Sequence, residues 1–150
     1  MKIETLRLIM IPCDSQSIRV IKAQNYDNGP EVVNHVKELA GDPTLYGWGS
    51  WLILRKSDDV IIGDAGFKGK PNSKKEVEIG YGLLESVCGL GYATEAVRGL
   101  LDWAFNTTAV DKVVAETDVN NISSIRVLEK VGMEKRKSKE DLIYWKLSKR

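Results

Sequence analysis

The sequence is poor in the residues that build metal centres and disulfide frameworks, with two cysteines, Cys13 and Cys88, and one histidine, His35. Two cysteines so far apart along the chain do not form a disulfide framework, and the ligand spacing of a zinc site is absent. A chain of 150 residues needs neither, since a domain of that size buries roughly 70% of the surface that its unfolded chain exposes. We therefore expect one domain over residues 1–150, with no metal.

The sequence also lacks an excess of one charge and any long apolar run. Its formal net charge is +1, which gives no basic surface for nucleic acid. No segment approaches the ~20 apolar residues of a membrane span. The apolar stretch in residues 1–12 is too short for a secretory leader and is interrupted by Glu4 and Arg7. We therefore expect a cytoplasmic protein with reduced thiols that binds neither nucleic acid nor membranes.

Hydrophobic periodicity predicts an α+β fold. A strand over 76–84, a helix over 93–106 and a strand over 112–117 follow one another, which places a parallel strand pair in a mixed, mainly antiparallel sheet flanked by helices. The other predicted strands cover 6–11, 51–55, 60–67, 133–138 and 142–148, the last two as a hairpin, and the other predicted helices cover 15–24, 31–40 and 121–130.

Capping chemistry predicts three of the helix boundaries. Asp14 can cap the helix over 15–24. Residues 28–30, Asn-Gly-Pro, are predicted to form a turn whose proline suits the first turn of the next helix. Gly132 is a natural stop for the last helix.

A glycine-rich turn, Cys88-Gly89-Leu90-Gly91-Tyr92-Ala93-Thr94, lies between a predicted strand and a predicted helix. Glycines allow close backbone approach, and free N–H groups at a helix start form an anion site that suits phosphate. A Walker loop is excluded because Tyr92-Ala93-Thr94 follows the glycines instead of Gly-Lys-Ser/Thr. A Rossmann turn is excluded because Thr94 occupies the third small position and antiparallel strands come first. A tight turn without a ligand stays an alternative.

With its continuation Gly-Tyr-Ala-Thr-Glu-Ala over 91–96, this turn resembles the cofactor motif Gln/Arg-x-x-Gly-x-Gly/Ala of the GNAT superfamily of N-acetyltransferases. It looks like the RimJ/RimL branch, which acetylates the N-termini of ribosomal proteins. Residues 5–8, 78–81 and 121–133 resemble the branch's opening strand, fourth strand and last helix. Cys88 replaces the usual Gln or Arg, and the region before residue 50 is shorter than is usual in the branch.

The resemblance implies that the chain binds acetyl-CoA and moves an acetyl group to a primary amine, either a protein N-terminus or a small molecule. The lack of a nucleophile–base–orienter set predicts a direct transfer in a ternary complex, and we expect a monomer or homodimer. A non-catalytic acetyl-CoA-binding module is the alternative. The implied cofactor-binding residues are Leu83, Leu84, Cys88, Gly89, Leu90, Gly91, Tyr92, Ala93, Thr94, Asn121 and Ser124.

Acetyl transfer requires a base, because amines with pKa values of ~8 to ~10.4 are mostly protonated at neutral pH. The resemblance implies two candidates, Glu78 on the strand before the turn and Glu116 on the strand after the cofactor helix. For each, an exposed strand glutamate is the alternative. A tyrosine that protonates the CoA sulfur in many relatives would fall at Leu128, and Ser124 is the substitute.

Aromatic side chains before residue 52 are candidates for the acceptor site. We expect Tyr46 and Trp48 to bind substrate, Trp51 to belong to the core, and His35 to lie on a helix surface. Asn121 is either a helix cap or a contact to the pantetheine. No nucleophile–base set is evident, because the single histidine is remote in sequence from both cysteines.

Overall fold

The computed structural model describes residues 1–27 and 31–149, and this part of the chain contains eight strands and four α-helices. The strands form one sheet in the order β1-β2-β3-β4-β5-β6-β8-β7. The strands are β1 Ile3–Glu4, β2 Leu8–Pro12, β3 Ser50–Arg55, β4 Val60–Phe67, β5 Glu76–Leu83, β6 Lys112–Asp118, β7 Glu134–Lys139 and β8 Leu142–Ser148. The helices are α1 Ser17–Ala23, α2 Glu31–Gly41, α3 Tyr92–Asn106 and α4 Ile122–Lys130.

The predicted elements are confirmed, with small differences at their ends. A short first strand, β1, was not predicted, and it pairs antiparallel with β2 across a turn closed by a 2.9 Å bond from the Thr5 N–H to the Leu8 carbonyl. Asp14 does not cap α1. The helix begins at Ser17 after Gln16, and the Asp14 carboxylate accepts the Gln16 N–H in the preceding turn. The turn predicted at residues 28–30 lies outside the described residues.

Successive side chains along each strand point to opposite faces of the sheet, and both faces carry apolar residues. On one face, strand residues such as Met10 and Ile53 pack against Val97 and Leu100 of α3 and Leu128 of α4 in the main core. The opposite face of β3 and β4 packs against α2 in a smaller cluster of Cys13, Val32, Leu52 and Ile61. The helices thus flank the sheet on both sides, as the sequence predicts.

The predicted parallel pair is β5 and β6, joined by the crossover through α3. Their pairing covers Glu76 with Lys112, Val77 with Val113 and Glu78 with Val114. Beyond Glu78 and Val114 the two strands continue without further partner pairs in the described chain. The sheet therefore opens in its middle, between the last residues of both strands.

The predicted closing hairpin is confirmed, and its second strand enters the sheet between the other two. β8 pairs antiparallel with β6 and with β7. The Trp145 indole donates a 2.9 Å hydrogen bond to the buried Thr117 hydroxyl of β6. This buried bond fixes the end of β6 on the side away from β5.

We predict that Gly66→Ala destabilises the protein by about 1–3 kcal/mol or more, because its Cβ would lie 1.9 Å from the Gly49 carbonyl oxygen and the backbone must move. The matched control is Gly82→Ala on the adjacent strand, where a Cβ meets nothing within 4 Å, and its effect is expected within about 0.5 kcal/mol. Urea unfolding of both variants measures the difference. Equal midpoints would contradict the close approach of β3 and β4 at Gly66.

Candidate active site

A groove of about 880 Å³ passes through the opening between β5 and β6. Asn121, Ser124 and Leu128 line it on the α4 side, and residues of α2 and β4 line it on the other. It therefore connects the two faces of the sheet, which suits a site where two substrates approach from opposite sides.

The wall formed by β5 differs between its two faces. Ile79, Tyr81 and Leu83 present side chains on the core face, and Gly80 and Gly82 present none on the other. A Cβ at Gly82 would meet nothing within 4 Å, and at Gly80 its nearest contact would be the Lys68 Cε at 3.5 Å. The α2 side of the groove thus has a floor of glycine backbone that is open at Gly82 and bordered by the Lys68 side chain at Gly80.

The glycine turn lies at the start of α3. Gly89 and Gly91 have φ values of +83° and +84°, a left-handed conformation that favours glycine. Gly91 takes the cap position and supplies no side-chain hydrogen bond. In the described part of the chain, no group accepts the backbone N–H groups of residues 89–94. The turn therefore offers backbone donors at a helix N-terminus, a geometry that can bind an anion.

An ion pair between Arg7 and Glu95, which sequence reasoning missed, holds this turn against the first hairpin. The Arg7 Nε and backbone N–H each donate a 2.7 Å hydrogen bond to the Glu95 carboxylate. The Nη1 group donates to the Leu90 carbonyl at 2.9 Å, and the guanidinium lies 4.3 Å from the centre of the Tyr92 ring. Both charged residues lie in segments that carry the family resemblance, which is the signal that could have found them.

The environment of Glu95 favours its charged form. Burial by itself would raise the pKa of the carboxyl, but hydrogen bonds from the Thr5 hydroxyl and from the Arg7 backbone and guanidinium outweigh it. The resulting pKa lies below the ordinary value of 4.5. Glu95 is therefore ionised at neutral pH and stabilises the folded state through these bonds.

Asn121 caps α4 and lines the groove, so the structure supports its role as a cap. Its carboxamide oxygen accepts the Ser124 N–H and the Ser123 hydroxyl, each at 3.2 Å. The Tyr81 hydroxyl crosses from β5 and donates to the Ser124 carbonyl at 3.2 Å, and burial raises the pKa of that tyrosine. Ser124 and Tyr81 thus place two hydroxyl groups on the α4 side of the groove.

The two glutamate candidates lie on the same face of the sheet in different settings. Glu116 lines the groove beyond the point where β5 and β6 separate. Glu78 is the last residue of β5 that pairs with β6, and it is not among the described residues that line the groove. Its carboxylate is 2.8 Å from the Lys68 ammonium. Both also line a smaller cavity of about 370 Å³ beside β8. The structure brings Glu116, Asn121 and Ser124 together and leaves Glu78 at the margin.

The acceptor candidates are only partly brought together. Trp48 lines the groove and packs against Phe67 and Trp103, with ring centres 5.5 and 4.8 Å away. Tyr46 is 37% exposed and is not among the described residues that line the groove. Trp51 is fully buried in the core, as expected.

The expectation that His35 lies on a helix surface is wrong. Its side chain is 8% exposed, because α2 packs this face onto the Gly49 backbone, where a Cβ would lie 1.9 Å from the His35 Nδ1. His35 lines the groove. Burial lowers its pKa below 6.5, and Glu38 opposes that shift only in part. The imidazole is therefore neutral at pH 7.

Across residues 1–27 and 31–149, no group of three or more His, Cys, Asp and Glu side chains could hold a metal ion. None of the helices in these ranges has the length and apolarity to cross a bilayer.

Residues 9–134 match the protein-family model for the acetyltransferase (GNAT) domain. The uncharacterized N-acetyltransferase YjdG of Bacillus subtilis is 29% identical over 142 residues, which are 88% of this chain and 84% of that protein. The uncharacterized N-acetyltransferase p20 of Bacillus licheniformis is 30% identical over 65% of this chain and 56% of its own length.

Solved structures share the fold at low sequence identity. The ribosomal-protein-S5-alanine acetyltransferase of Vibrio fischeri superposes with a TM-score of 0.78 at 16% identity, covering 99% of this chain and 97% of that one. The ribosomal L7/L12 alpha-N-protein acetyltransferase RimL, in complex with coenzyme A, gives 0.77 at 18% identity, covering 99% and 98%. The predicted mixed sheet flanked by helices is the fold of these enzymes.

We predict that Glu95→Gln destabilises the fold by about 1.5–3 kcal/mol at pH 7, the range for hydrogen bonds to a charged group. Because the folded-state pKa of Glu95 is depressed, its stabilising effect is full above the ordinary value of 4.5 and is lost as pH falls through the folded value. Urea unfolding at several pH values measures this effect.

The control is Glu129→Gln on the exposed face of α4, whose expected effect is within about 0.5 kcal/mol at every pH. A Glu95→Gln penalty that stays constant down to pH values well below 4.5 would show that the charge is not its cause.

Proposed function

The chain belongs to the acetyltransferase (GNAT) family and is an acyltransferase, and from this premise we propose that it acetylates a primary amine with acetyl-CoA. The transfer is direct, in a ternary complex, without an acetyl-enzyme. One observation carries the proposal. A single groove runs between β5 and β6, with the capped start of α4 and its hydroxyl groups on one side and a carboxylate, Glu116, on the other.

The residues present fit acetyl-CoA, which supplies an acetyl group activated as a thioester. The unpaired N–H groups of residues 89–94 suit the pyrophosphate. Leu83, Leu84 and Asn121 line the groove that would take the pantetheine. A ligand can approach the backbone at Gly89, because a Cβ there would meet no protein atom within 4 Å.

We also assign Arg7 to this phosphate site. Cys88 stands where the family motif has Gln or Arg, so that side chain cannot hold phosphate. The Arg7 guanidinium supplies a cation from another element, with its Nη2 3.2 Å from a Cβ built on Gly91. Its Nε and Nη1 groups already hold Glu95 and Leu90, and a guanidinium has further N–H donors for a phosphate oxygen.

Glu116 is the base that this site supports best. The acceptor amine must lose a proton before it attacks, and a carboxylate can take it directly or through water. Glu116 faces the groove, whereas Glu78 is paired with Lys68 at its margin. On the α4 side, Ser124 and Tyr81 supply hydroxyl groups near the groove that can return a proton to the departing sulfur.

We further propose the RimJ/RimL branch and a cytoplasmic setting with reduced thiols. The segments at residues 5–8, 78–81 and 121–133 support the branch. Cys13 is buried and Cys88 exposed, and both are free. Burial raises the pKa of the Cys13 thiol to about 12, so it is protonated and unreactive at neutral pH.

We predict that Gly91→Glu lowers CoA affinity about 100-fold or more, because a carboxylate at the anion site repels the pyrophosphate. Gly132→Glu is the matched control. It adds the same side chain at a glycine that is also in the left-handed conformation, because φ is +90° at Gly132 and +84° at Gly91. Gly132 follows the C-terminal end of α4, away from the turn. Calorimetric titration with CoA measures both, and equal affinities would refute the assignment of the turn.

We predict that Glu116→Gln lowers kcat/KM for acetyl transfer about 10²–10⁴-fold at neutral pH, the usual loss for a general base. The loss shrinks as pH rises, because the amine then deprotonates unaided. Glu78→Gln is the comparison, and we expect it to lose far less.

A thiol-release assay with a panel of primary amines measures both variants. The reverse order would make Glu78 the base. Normal activity in both would mean that the amine loses its proton in solution. CoA binding without turnover of any amine would favour the non-catalytic module.

A further inference from the structure

The α2 side of the groove carries strong negative charge, beyond what one general base requires. Among the described residues, one ammonium group lines the groove, that of Lys68, and it is paired with Glu78. The carboxylate side chains that line it are those of Asp27, Glu31, Glu38, Asp64, Glu116 and Asp118.

Asp64 is the carboxylate in this set that most needs a ligand. It lies on β4 beneath α2, where its Oδ2 accepts a 2.6 Å hydrogen bond from the Tyr26 hydroxyl. In the described chain no cation pairs with it. Burial and the nearby charge of Glu31 raise its pKa, and the Tyr26 bond opposes them only in part. A buried carboxylate without a cation is costly, so a bound cation would stabilise it.

His35 independently indicates a ligand in the same groove. Its side chain is more than nine-tenths buried and lines the groove, and its Nε2 has no hydrogen-bond partner within the described residues. Native structures rarely leave such an atom unpaired. A neutral imidazole and a carboxylate together suit an ammonium group, which has three N–H donors.

The glycine floor connects this end to the proposed base. Asp64 pairs across the ladder with Gly82 of β5, and Glu116 lies on β6, on the far side of β5. Two strand spacings of ~4.8 Å each place the backbones of the two residues ~10 Å apart. A narrow chain can cross between them over Gly82, where a Cβ would meet nothing within 4 Å, and beside the Lys68 side chain, whose Cε lies 3.5 Å from a Cβ at Gly80.

We propose that the acceptor is a linear aliphatic diamine, with one amine at Glu116 for acetylation and the second, charged, at Asp64 and His35. This rests on the proposed acetyl transfer. The acceptor nitrogen bonds to the acetyl carbon as the thioester C–S bond breaks. Of the two protons that the ammonium group loses, one leaves through Glu116 and one ends on the CoA sulfur.

The test compares linear diamines of increasing length with monoamines of matched length, using the full chain and acetyl-CoA. The wild-type protein should prefer a diamine, with an optimum length that spans the two carboxylates. Asp64→Asn should lower the ratio of kcat/KM for diamine over monoamine about 10- to 100-fold, mainly through KM. Asp102→Asn, which removes the same charge from the exposed face of α3, should leave the ratio unchanged.

Two further variants separate charge from shape. Tyr26→Phe removes the hydroxyl that bonds Asp64 but keeps the carboxylate charge, so the diamine preference should persist. Gly82→Val adds a side chain to the open floor, where the strand conformation permits one, and should weaken long diamines more than short monoamines. Binding of CoA by calorimetry shows that each variant is folded.

Direct titration of the diamine into the protein–CoA complex distinguishes this proposal from the proposed function. Binding that depends on Asp64, without turnover, would support the diamine site and refute the acetyl transfer. Three outcomes would overturn the diamine site and leave the acetyl transfer standing. They are equal kcat/KM for monoamines and diamines, no effect of Asp64→Asn, and a neutral peptide that is a better acceptor than every diamine. If no diamine binds and none is acetylated, the diamine site is also refuted.

Discussion

The separation of β5 and β6 beyond Glu78 and Val114 is the constraint on which the rest of the site depends. While the strands are paired, their backbone groups satisfy one another. Past that point the sheet is open, and the groove passes through it. The separation holds because each strand is secured on its other side, β5 by its ladder with β4 and β6 by its ladder with β8, which the Trp145–Thr117 hydrogen bond reinforces.

The opening gives the two sides of the sheet different chemistry. On the α3 and α4 side, the backbone donors of residues 89–94, which have no acceptor within the described residues, and the Arg7 guanidinium suit the phosphates of a nucleotide cofactor. On the α2 side, carboxylates and a neutral histidine suit an amine. The two sides of the opening therefore differ in the groups that they present to a ligand.

Local signals explain why much of this could be predicted from the sequence. The periodicity of residues 76–84 and 93–106 marks a strand and a helix wherever they pack. Gly89 and Gly91 indicate a turn with φ above zero, because side chains are rarely tolerated there. The cap role of Asn121 likewise depends only on the three residues that follow it. In each case, the residues that determine the local structure are neighbours in the sequence.

The sequence by itself determined the described helices, every described strand except β1, the glycine turn and the family motifs. Only the tertiary structure decided which distant residues meet. Arg7 and Glu95 are 88 residues apart, Tyr26 and Asp64 are 38 apart, and no periodicity relates either pair. His35 has the sequence context of a helix surface and becomes buried because Gly49 of another segment approaches it. Glu78 and Glu116 look alike in sequence, and they differ because the strands separate between their positions.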